Sequence, residues 1–439
     1  MSALSTIIQE RTANRHERDP GAGLWVVALA IPTIMFAIVV TRFFSFTNDQ
    51  PEQSRFYENQ AVSLLHGHVD VPLQAIGSEA FELHGRYYGY FGPTPAILRL
   101  PVMVFFSAGD PLKQPFLAPI YMTFAFLLAG LAIAGITSNV GLKGWLAPGF
   151  TFITLTGSAL MLLSARALVY EEAVLWGASF ALVSILAALH LLESPSKRWA
   201  IVAISAPALA LLARPAAGIG AVAVVFAVVL IRRAWWVLAG VLIASISLYS
   251  AFMLWKFGAF EPPFTHQLDC SMNPKCMAVA RDSFGPQYIP TNVVQYFRPD
   301  LLRFAGHFPW IVAPSPKDAP VKLIGVNNYF GTEQMSSVTL TMPLLLLLSF
   351  VGIAVTSWSR RWLIIASCAG PVATCMWVGA TQRYLADFVP TLILAGAYGV
   401  GYLRTLKWRP AFSIVIVTLG TWSVLFCMAL AVSNNWISP

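Results

Sequence analysis

The chain has 439 residues, of which 57% are hydrophobic and only 11% are charged, and its net charge is +8. Soluble proteins carry about 25% charged residues, so this composition excludes an ordinary soluble domain and predicts an all-α, polytopic membrane protein. The positive charge does not indicate nucleic acid as a partner, because Lys and Arg collect in the cytoplasmic loops of membrane proteins. The lipid bilayer is therefore the first partner that the sequence predicts.

A membrane-spanning helix needs about 20 consecutive apolar residues, with tolerance for shorter buried or tilted ones. The sequence predicts about eleven spans, at 24–46, 116–137, 146–164, 171–192, 199–213, 216–231, 235–255, 338–357, 362–380, 385–403 and 411–433. The first span is expected to be retained, because no Ala-x-Ala-like cleavage site follows it.

Two long loops divide the chain into parts. The predicted parts are a cytoplasmic tail at 1–23, a transmembrane module at 24–255 that includes the first loop at 47–115, a second loop at 256–337, and C-terminal helices at 338–439. The second loop is expected to bind an acceptor.

The basic residues predict the orientation of the helices. Arg11, Arg15 and Arg18 precede the first span, and the turns expected on the same side hold Lys143, Lys197, Arg198, Arg232, Arg233, Arg360, Arg361, Arg404, Lys407 and Arg409. The positive-inside rule then places the N-terminus in the cytoplasm and the C-terminus outside. A single helix over 199–231 would invert this order. It is rejected because it would be about 50 Å long in a core of about 30 Å, and because Arg214-Pro215 interrupts it.

The first loop opens with an acid and an amphipathic segment. Asp49 follows the first span, and Pro51 begins a stretch with helical periodicity. One stripe of this stretch holds Tyr57, Ala61, Leu64 and Leu65, and the other side holds Glu52, Arg55 and Asn59. The pattern predicts a helix that lies in the membrane interface and keeps Asp49 at the membrane surface. Asp49 is then either a solvated helix end or a general base.

An aromatic and proline-rich stretch follows, GRYYGYFGPTPAILRLP from Gly85 to Pro101, which includes Tyr88. Aromatic side chains prefer the membrane interface, so residues 94–108 are predicted to form a second interfacial helix. The alternative is a twelfth span, which Arg99 and Pro101 would interrupt.

Three short turns on the predicted outer side carry arginines that the orientation rule does not require. The turns are ARALVYEE with Arg166, Tyr170, Glu171 and Glu172, ARPAAG with Arg214, and TQRYLADF with Arg383, Tyr384 and Asp387. Ionisable residues at the membrane boundary are costly and suggest function, and guanidinium groups match phosphate. The alternative is that these arginines snorkel or pair with the neighbouring acids.

The second loop holds Cys270 and Cys276, which are expected to form a disulfide because thiols oxidise on the outer side. No cofactor is predicted with certainty. A divalent ion held by Glu58 and a histidine such as His266 stays open, although so few ligands are weak support for a metal. The sequence contains no phosphate loop, dinucleotide fingerprint, zinc-protease helix or nucleophile elbow, which leaves ATP-driven work and serine hydrolysis without support.

The acid after the first span, the aromatic helix with Arg55 and Tyr57, and the segment GRYYGYFGPTPAILRLP resemble the GT-C superfamily of integral-membrane glycosyltransferases. The turns with Arg166, Arg214 and QRYLADFVP resemble outer-rim elements of the same superfamily. The likeness covers residues 24–231 and, more loosely, the C-terminal part. One departure is that many members carry Asp-Glu in the first loop, whereas Gln50 follows Asp49 here.

The resemblance implies a multi-pass enzyme of the plasma (inner) membrane with its active site outside. It would transfer a sugar from a polyprenyl-phosphate donor to a glycan, lipid or protein acceptor, as protein mannosyltransferases and lipid A aminoarabinose transferases do. Asp49 would be the catalytic base of an inverting displacement, and Arg166, Arg214 and Arg383 would bind the donor phosphate. The candidate substrate-binding residues are Glu171, Glu172, Tyr170, Arg55, Tyr57, Tyr384 and Tyr88. Two rivals remain, a transporter or flippase for an anionic lipid-linked sugar and a non-catalytic membrane subunit.

Overall fold

The computed structural model describes residues 21–46, 51–106, 113–405 and 409–436. These residues form a mostly helical, polytopic membrane protein. Asp49, Gln50, Arg11, Arg15, Arg18 and Lys407 lie outside the described residues, as do the side chains of Glu52 and Arg409. The predicted catalytic base therefore stays a prediction.

The first helix is followed by a loop region that folds into short elements. In chain order these elements are α1 Ala22–Val40, α2 Pro51–Ser54, α3 Phe56–Leu65, β1 Phe81–Leu83, β2 Arg86–Tyr88 and α4 Thr94–Met103. Strands β1 and β2 pair antiparallel, so a small hairpin carries the chain from α3 to α4. Both segments predicted as interfacial helices are thus helical.

A continuous run of helices follows. They are α5 Ala118–Val140, α6 Leu146–Thr156, α7 Ala159–Leu162, α8 Val169–Glu193, α9 Lys197–Ala213, α10 Pro215–Arg232, α11 Trp235–Leu242 and α12 Leu248–Phe257. The predicted break at Arg214-Pro215 is confirmed, because α9 ends just before Arg214 and α10 begins at Pro215. Proline suits the first position of a helix, where its missing N–H costs nothing.

The second half contains the other loop and the last helices. Its elements are α13 Leu268–Met272, α14 Pro274–Val279, α15 Ile289–Phe297, β3 Arg303–Phe304, β4 Ile311–Val312, β5 Gly331–Thr332, α16 Val338–Thr341, α17 Pro343–Val355, α18 Trp358–Ser367, α19 Ala369–Cys375, β6 Gly379–Ala380, α20 Val389–Leu403 and α21 Arg409–Trp436. A 3₁₀ segment, Gln382–Phe388, leads into α20. Strand β5 pairs with β6 and so ties the second loop to the helical bundle.

Within the described ranges, eight segments are long and apolar enough to cross a membrane. They are Ala22–Val40, Ala118–Val140, Leu146–Ala165, Val169–Glu193, Pro215–Arg232, Trp235–Phe257, Gln382–Leu403 and Ser413–Asn434. The other three predicted spans coincide with shorter or interrupted helices, namely α9, α16 with α17, and α18 with α19. The count of eleven spans, the orientation and the predicted division into parts stay predictions.

Helix α8 is the centre of the bundle. It is buried along most of its length and packs against α5, α9 and α10. Helices α17 and α20 form a second tight pair, where a Cβ on Gly399 would lie 2.1 Å from the Leu348 carbonyl oxygen. Small residues of this kind allow helix backbones to approach each other closely inside a membrane.

The structure differs from the sequence prediction at Asn59, which the periodicity placed on the polar side of the helix. Glu58, Asn59 and Gln60 are buried together with the apolar residues Tyr57 and Ala61. The first half of the helix, Phe56 to Ala61, is therefore enclosed by protein, whereas Leu65, predicted on the apolar stripe, is 38% exposed at the other end. The reason is an ion-pair network with α4 and α8, described below.

Candidate functional site

A cavity of about 800 Å³ lies at one end of the bundle, where helices α8 and α10 begin. Arg214, Arg383 and Tyr384 line it, together with residues of the loop before α4 and of α12. Backbone N–H groups at a helix N-terminus carry a partial positive charge that favours anions. The helix geometry and the arginines thus act in the same direction.

A second cavity of about 370 Å³ adjoins the first. The two share several lining residues, including Tyr170, Arg383 and Tyr384, so we describe them as the larger lobe and the smaller lobe of one site. Arg166 and Glu171 line the smaller lobe. Gln53, four residues after Asp49 in the sequence, also lines the smaller lobe.

Arg214 is fixed from two directions. Its Nη2 donates to Asp387 Oδ2 at 3.1 Å, and the hydroxyl of Thr374 donates to the same oxygen at 2.7 Å. The guanidinium carbon lies 4.0 Å from the centre of the Tyr384 ring, a cation–π contact. Arg214 is 17% exposed whereas Asp387 is 0% exposed, so the acid lies behind the arginine and the arginine faces the cavity.

Arg383 is held in a similar way by the second loop. Its two terminal nitrogens donate to the two carboxylate oxygens of Glu333 at 2.9 and 2.8 Å. Its guanidinium carbon lies 4.3 Å from the Tyr170 ring centre and 5.5 Å from that of Tyr384. Tyr384 therefore contacts both Arg214 and Arg383, and it links the two cations across the larger lobe.

The acids of the smaller lobe have different environments. Glu171 is buried, and its Oε2 has no hydrogen-bond partner among the residues that the structure describes. Glu79 accepts a hydrogen bond of 2.6 Å from Gln267 Nε2. Burial raises the pKa of the Glu79 carboxyl above its usual range, and a hydrogen bond with Tyr170 opposes this shift only partly. Asp269 lines the same lobe.

Other residues predicted to bind substrate lie away from both lobes. Arg55 donates to the backbone oxygen of Gln114 at 2.8 Å, and Tyr88 belongs to strand β2 beside Phe257. Tyr57 lies under Arg99, with 5.5 Å between the guanidinium carbon and the ring centre. The structure does not place these three side chains in the site that contains the arginines.

Glu172 also differs from its neighbour Glu171, because it faces Arg99 instead of the cavity. Arg99 is 0% exposed and donates to both carboxylate oxygens of Glu172 at 2.6 and 2.7 Å. It also donates to Glu58 at 3.1 Å and to the Pro95 carbonyl at 3.0 Å. This triad joins α3, α4 and α8, and it fixes the turn of α8 that presents Tyr170 and Glu171.

The two residues predicted as metal ligands are separated by role. Glu58 is committed to Arg99 and to the backbone N–H of Leu117, whereas His266 is exposed and lines neither lobe. Among the described residues there is no group of three or more His, Cys, Asp or Glu that could hold a metal ion. Cys270 and Cys276 form a disulfide, and Cys276 lines the smaller lobe.

Two further basic residues at the site were not singled out from the sequence. Arg281, in the second loop, is exposed and lines the larger lobe. Lys256 is buried on α12, and its Nζ donates to the carbonyls of Gly89 and Phe91 at 2.6 and 2.8 Å. Lys256 thereby anchors the loop whose Tyr90 and Phe91 form part of the cavity wall. The sequence signal for Lys256 is a lone cation near the end of an apolar run.

The anchored loop also approaches the bundle backbone closely. A Cβ on Gly92 would lie 1.8 Å from the carbonyl oxygen of Leu212, at the end of α9. Only glycine fits such a contact without displacement of the backbone. The close approach fixes the distance between the aromatic segment and Arg214, two residues after Leu212.

Comparison with solved structures identifies the fold. Three structures of the Archaeoglobus fulgidus oligosaccharyltransferase match this chain: the apo form, a complex with Zn and sulfate, and a form tethered to an acceptor peptide containing the NVT sequon through a disulfide bond. The TM-scores are 0.50, 0.50 and 0.51 at 13%, 15% and 13% sequence identity. The fold resembles the part of this oligosaccharyltransferase that the matches cover.

The matches cover 94%, 93% and 95% of this chain but only 56%, 53% and 56% of the oligosaccharyltransferase. This chain thus spans little more than half the length of the enzyme it resembles. No family model matches the sequence, and no curated protein matches it. At this level of identity the likeness establishes the fold, and it bears out in part the resemblance that the sequence motifs suggest.

Proposed function

We propose that this protein is a membrane glycosyltransferase that moves a sugar from a polyprenyl-phosphate donor to a glycan, lipid or protein acceptor on the outer face of the plasma membrane. The observation that carries the proposal is that Arg214 and Arg383 line one cavity at the N-terminal ends of α8 and α10. The GT-C-like fold supports the same reaction class.

The proposed chemistry needs few groups from the protein. A sugar on a polyprenyl phosphate already has a good leaving group, so no general acid is required. The arginines stabilise the charge that develops on the departing phosphate, and their effect grows as the bond breaks. Asp49 is proposed as the base that deprotonates the acceptor hydroxyl, which gives inversion in a single displacement.

The wall formed by α12 suits a lipid-linked donor. Tyr249 and Met253 line the larger lobe, whereas Leu248 and Trp255 on the same helix are exposed. In a membrane, large exposed apolar side chains on a spanning helix face lipid. A single helix, α12, then separates the proposed phosphate-binding cavity from the bilayer. A donor whose phosphate lies in the cavity could pass its polyprenyl tail beside this helix into the hydrocarbon.

The proposal is tested by transfer assays on the purified full chain in nanodiscs, with a panel of polyprenyl-phosphate sugars and glycan extracts as acceptors. Arg281→Ala is the first variant, because Arg281 is exposed and its loss leaves no buried partner uncompensated. Arg214→Lys is the second, since it keeps the charge but loses the planar fork of donors. Arg303→Ala is the control, an exposed arginine outside both lobes that pairs with Asp318.

We expect Arg214→Lys to lower kcat by about 10²-fold, the scale for loss of a transition-state donor. Arg281→Ala should raise the KM for the donor, and Arg303→Ala should change neither constant. Transfer that survives both cavity variants at full rate would overturn the proposal. Full transfer by Asp49→Asn would overturn the role of that residue alone. Translocation of the lipid-linked sugar across vesicles without bond formation would instead support the transporter alternative.

A further inference from the structure

The two lobes of the site carry opposite charge. The larger lobe is lined by Arg214, Arg281 and Arg383 against one acid, Glu261. The smaller lobe is lined by four acids and two arginines, namely Glu79, Glu171, Asp269, Glu333, Arg166 and Arg383. One cavity system therefore joins a lobe lined mainly by arginines, whose guanidinium groups suit phosphate, to a lobe lined mainly by carboxylates.

The internal ion pair leaves the excess of acids in the smaller lobe unchanged. Glu333 and Arg383 neutralise each other through their two-point contact. Among the lining residues that the structure describes, Glu79, Glu171 and Asp269 then remain, together with Arg166. Negative charge in a partly enclosed space is costly unless a cation compensates it. The imbalance favours a positively charged ligand group over a neutral one.

Glu171 is the group that is placed to meet such a ligand. It is 9% exposed, it lines the smaller lobe, and no residue in the described part of the chain donates a hydrogen bond to its Oε2. A buried carboxylate oxygen without a donor is rare in folded proteins, because each unsatisfied polar group costs about 1–3 kcal/mol. A ligand that donates a charged hydrogen bond to this oxygen would remove that cost.

The passage between the lobes is aromatic. Tyr90, Tyr170, Phe264 and Trp377 line both lobes. The ring centre of Tyr90 lies 6.4 Å from that of Tyr170 and 6.0 Å from that of Phe264. The ring centre of Phe264 lies 5.5 Å from that of Trp377. Aromatic rings attract cations through their faces and also pack against the apolar faces of sugar rings.

We infer that the smaller lobe binds a protonated amine carried on a sugar, with Glu171 as its direct hydrogen-bond acceptor and Glu79 as a second carboxylate. The inference rests on the proposed function for one point only, the phosphate in the larger lobe. A metal ion fits less well, because the acids of this lobe do not form a three-ligand group within the part of the chain that the structure describes.

The test compares the binding of two free sugars, glucosamine and glucose, to the full chain in nanodiscs by equilibrium dialysis. A charged hydrogen bond contributes about 1.5–3 kcal/mol, so glucosamine should bind about 10- to 100-fold more tightly than glucose. Glu171→Gln should reduce this ratio to about one, since the carboxamide keeps the size but not the charge. Glu261→Gln is the matched control, because it removes an acid from the larger lobe and should leave the ratio unchanged.

Equal binding of the two sugars by the wild-type chain would overturn the inference, and so would a ratio that survives Glu171→Gln. Mn²⁺ binding that is lost in Glu171→Gln would overturn it in favour of a metal. Should Glu171→Gln lower the yield of folded protein, Glu79→Gln answers the same question from the other carboxylate, and an unchanged ratio there counts against the inference.

Two transfer arms identify which substrate carries the amine. The first compares undecaprenyl-phosphate-glucosamine with undecaprenyl-phosphate-glucose as donors, and the second compares free glucosamine with free glucose as acceptors. Binding of undecaprenyl phosphate alone, with Arg281→Ala as the weakened variant, reports separately on the larger lobe. A wild-type chain that does not bind undecaprenyl phosphate but still prefers glucosamine to glucose would therefore count against the proposed function and leave the amine site standing.

Discussion

Replacement of Arg99 by methionine removes the cation from the buried triad of α3, α4 and α8. In the folded protein Arg99 makes two contacts with Glu172, at 2.6 and 2.7 Å, and one with Glu58 at 3.1 Å. All three side chains are almost completely buried. Methionine can keep the apolar contacts with the rings of Tyr57 and Tyr121, so the variant isolates the loss of charge.

The expected magnitude follows from this geometry. Removal of one partner from a buried ion pair typically costs about 3–5 kcal/mol, because the remaining charge stays buried without compensation. Arg99→Met leaves two such carboxylates, so the free energy of unfolding should fall by at least about 3 kcal/mol. The triple variant Arg99→Met, Glu58→Gln, Glu172→Gln removes all three charges of the triad and should recover most of the lost free energy of unfolding.

The assay is equilibrium unfolding of the purified full chain in detergent micelles. Arg303→Met serves as the control, since Arg303 and Asp318 form an exposed pair and such pairs contribute about 1 kcal/mol or less. If the free energy of unfolding of Arg99→Met were within about 1 kcal/mol of the wild-type value, the triad would not hold the first loop to α8. A triple variant as unstable as the single one would show that shape, and not charge, governs the contact.

Three further results are expected. Lys256→Met removes both hydrogen bonds to the loop carbonyls, each of which contributes about 1.5–3 kcal/mol. The KM for the lipid-linked donor should therefore rise at least about tenfold in initial-rate assays. An unchanged KM would show that the loop keeps its position without Lys256. Burial raises the pKa of Glu79 above the value of about 4.3 that an exposed glutamate has, so Glu79 takes up its proton at a higher pH. Glucosamine affinity in a dialysis series should therefore fall as pH falls through that raised pKa, and a dependence that persists in Glu79→Gln would assign it to another group. Gly399→Val places a Cβ 2.1 Å from a carbonyl oxygen and should abolish membrane-integrated folded protein. Gly401→Val is the control, because its Cβ would lie 3.4 Å from the nearest atom, a side-chain carbon, and folded protein should be retained. Equal yields of the two variants in fluorescence-detected gel filtration would contradict this expectation.

The sequence was enough to predict a polytopic membrane protein and to single out the turns that carry Arg166, Arg214 and Arg383. Both predictions depend only on local composition and on which side of the membrane each turn is expected to lie. An arginine where the orientation rule does not require one, as at Arg166, Arg214 and Arg383, needs another reason to be there. The structure places these three side chains in adjoining lobes of one cavity system. Their predicted role in phosphate binding stays a prediction, as does the role of Asp49.

The partner of a buried charge could not be read in the same way. Arg99 looks like an interruption of an apolar run, yet its partners Glu58 and Glu172 lie 41 and 73 residues away along the chain. Periodicity predicted an interfacial helix at 51–65 and gave no sign that Glu58 pairs with a distant arginine. Lys256 and Gly89 are 167 residues apart, so their contact is equally invisible to a local pattern.

The carboxylates paired with Arg214 and Arg383 have a consequence for the end of the proposed reaction cycle. When a sugar leaves a polyprenyl phosphate, the remaining monoester gains negative charge, and unopposed guanidinium groups would retain it. Asp387 and Glu333 each offer the arginine an alternative partner at hydrogen-bond distance. In the proposed reaction, departure of the spent lipid would then exchange one counter-ion of each arginine for another instead of exposing a bare cation, and this exchange would ease product release.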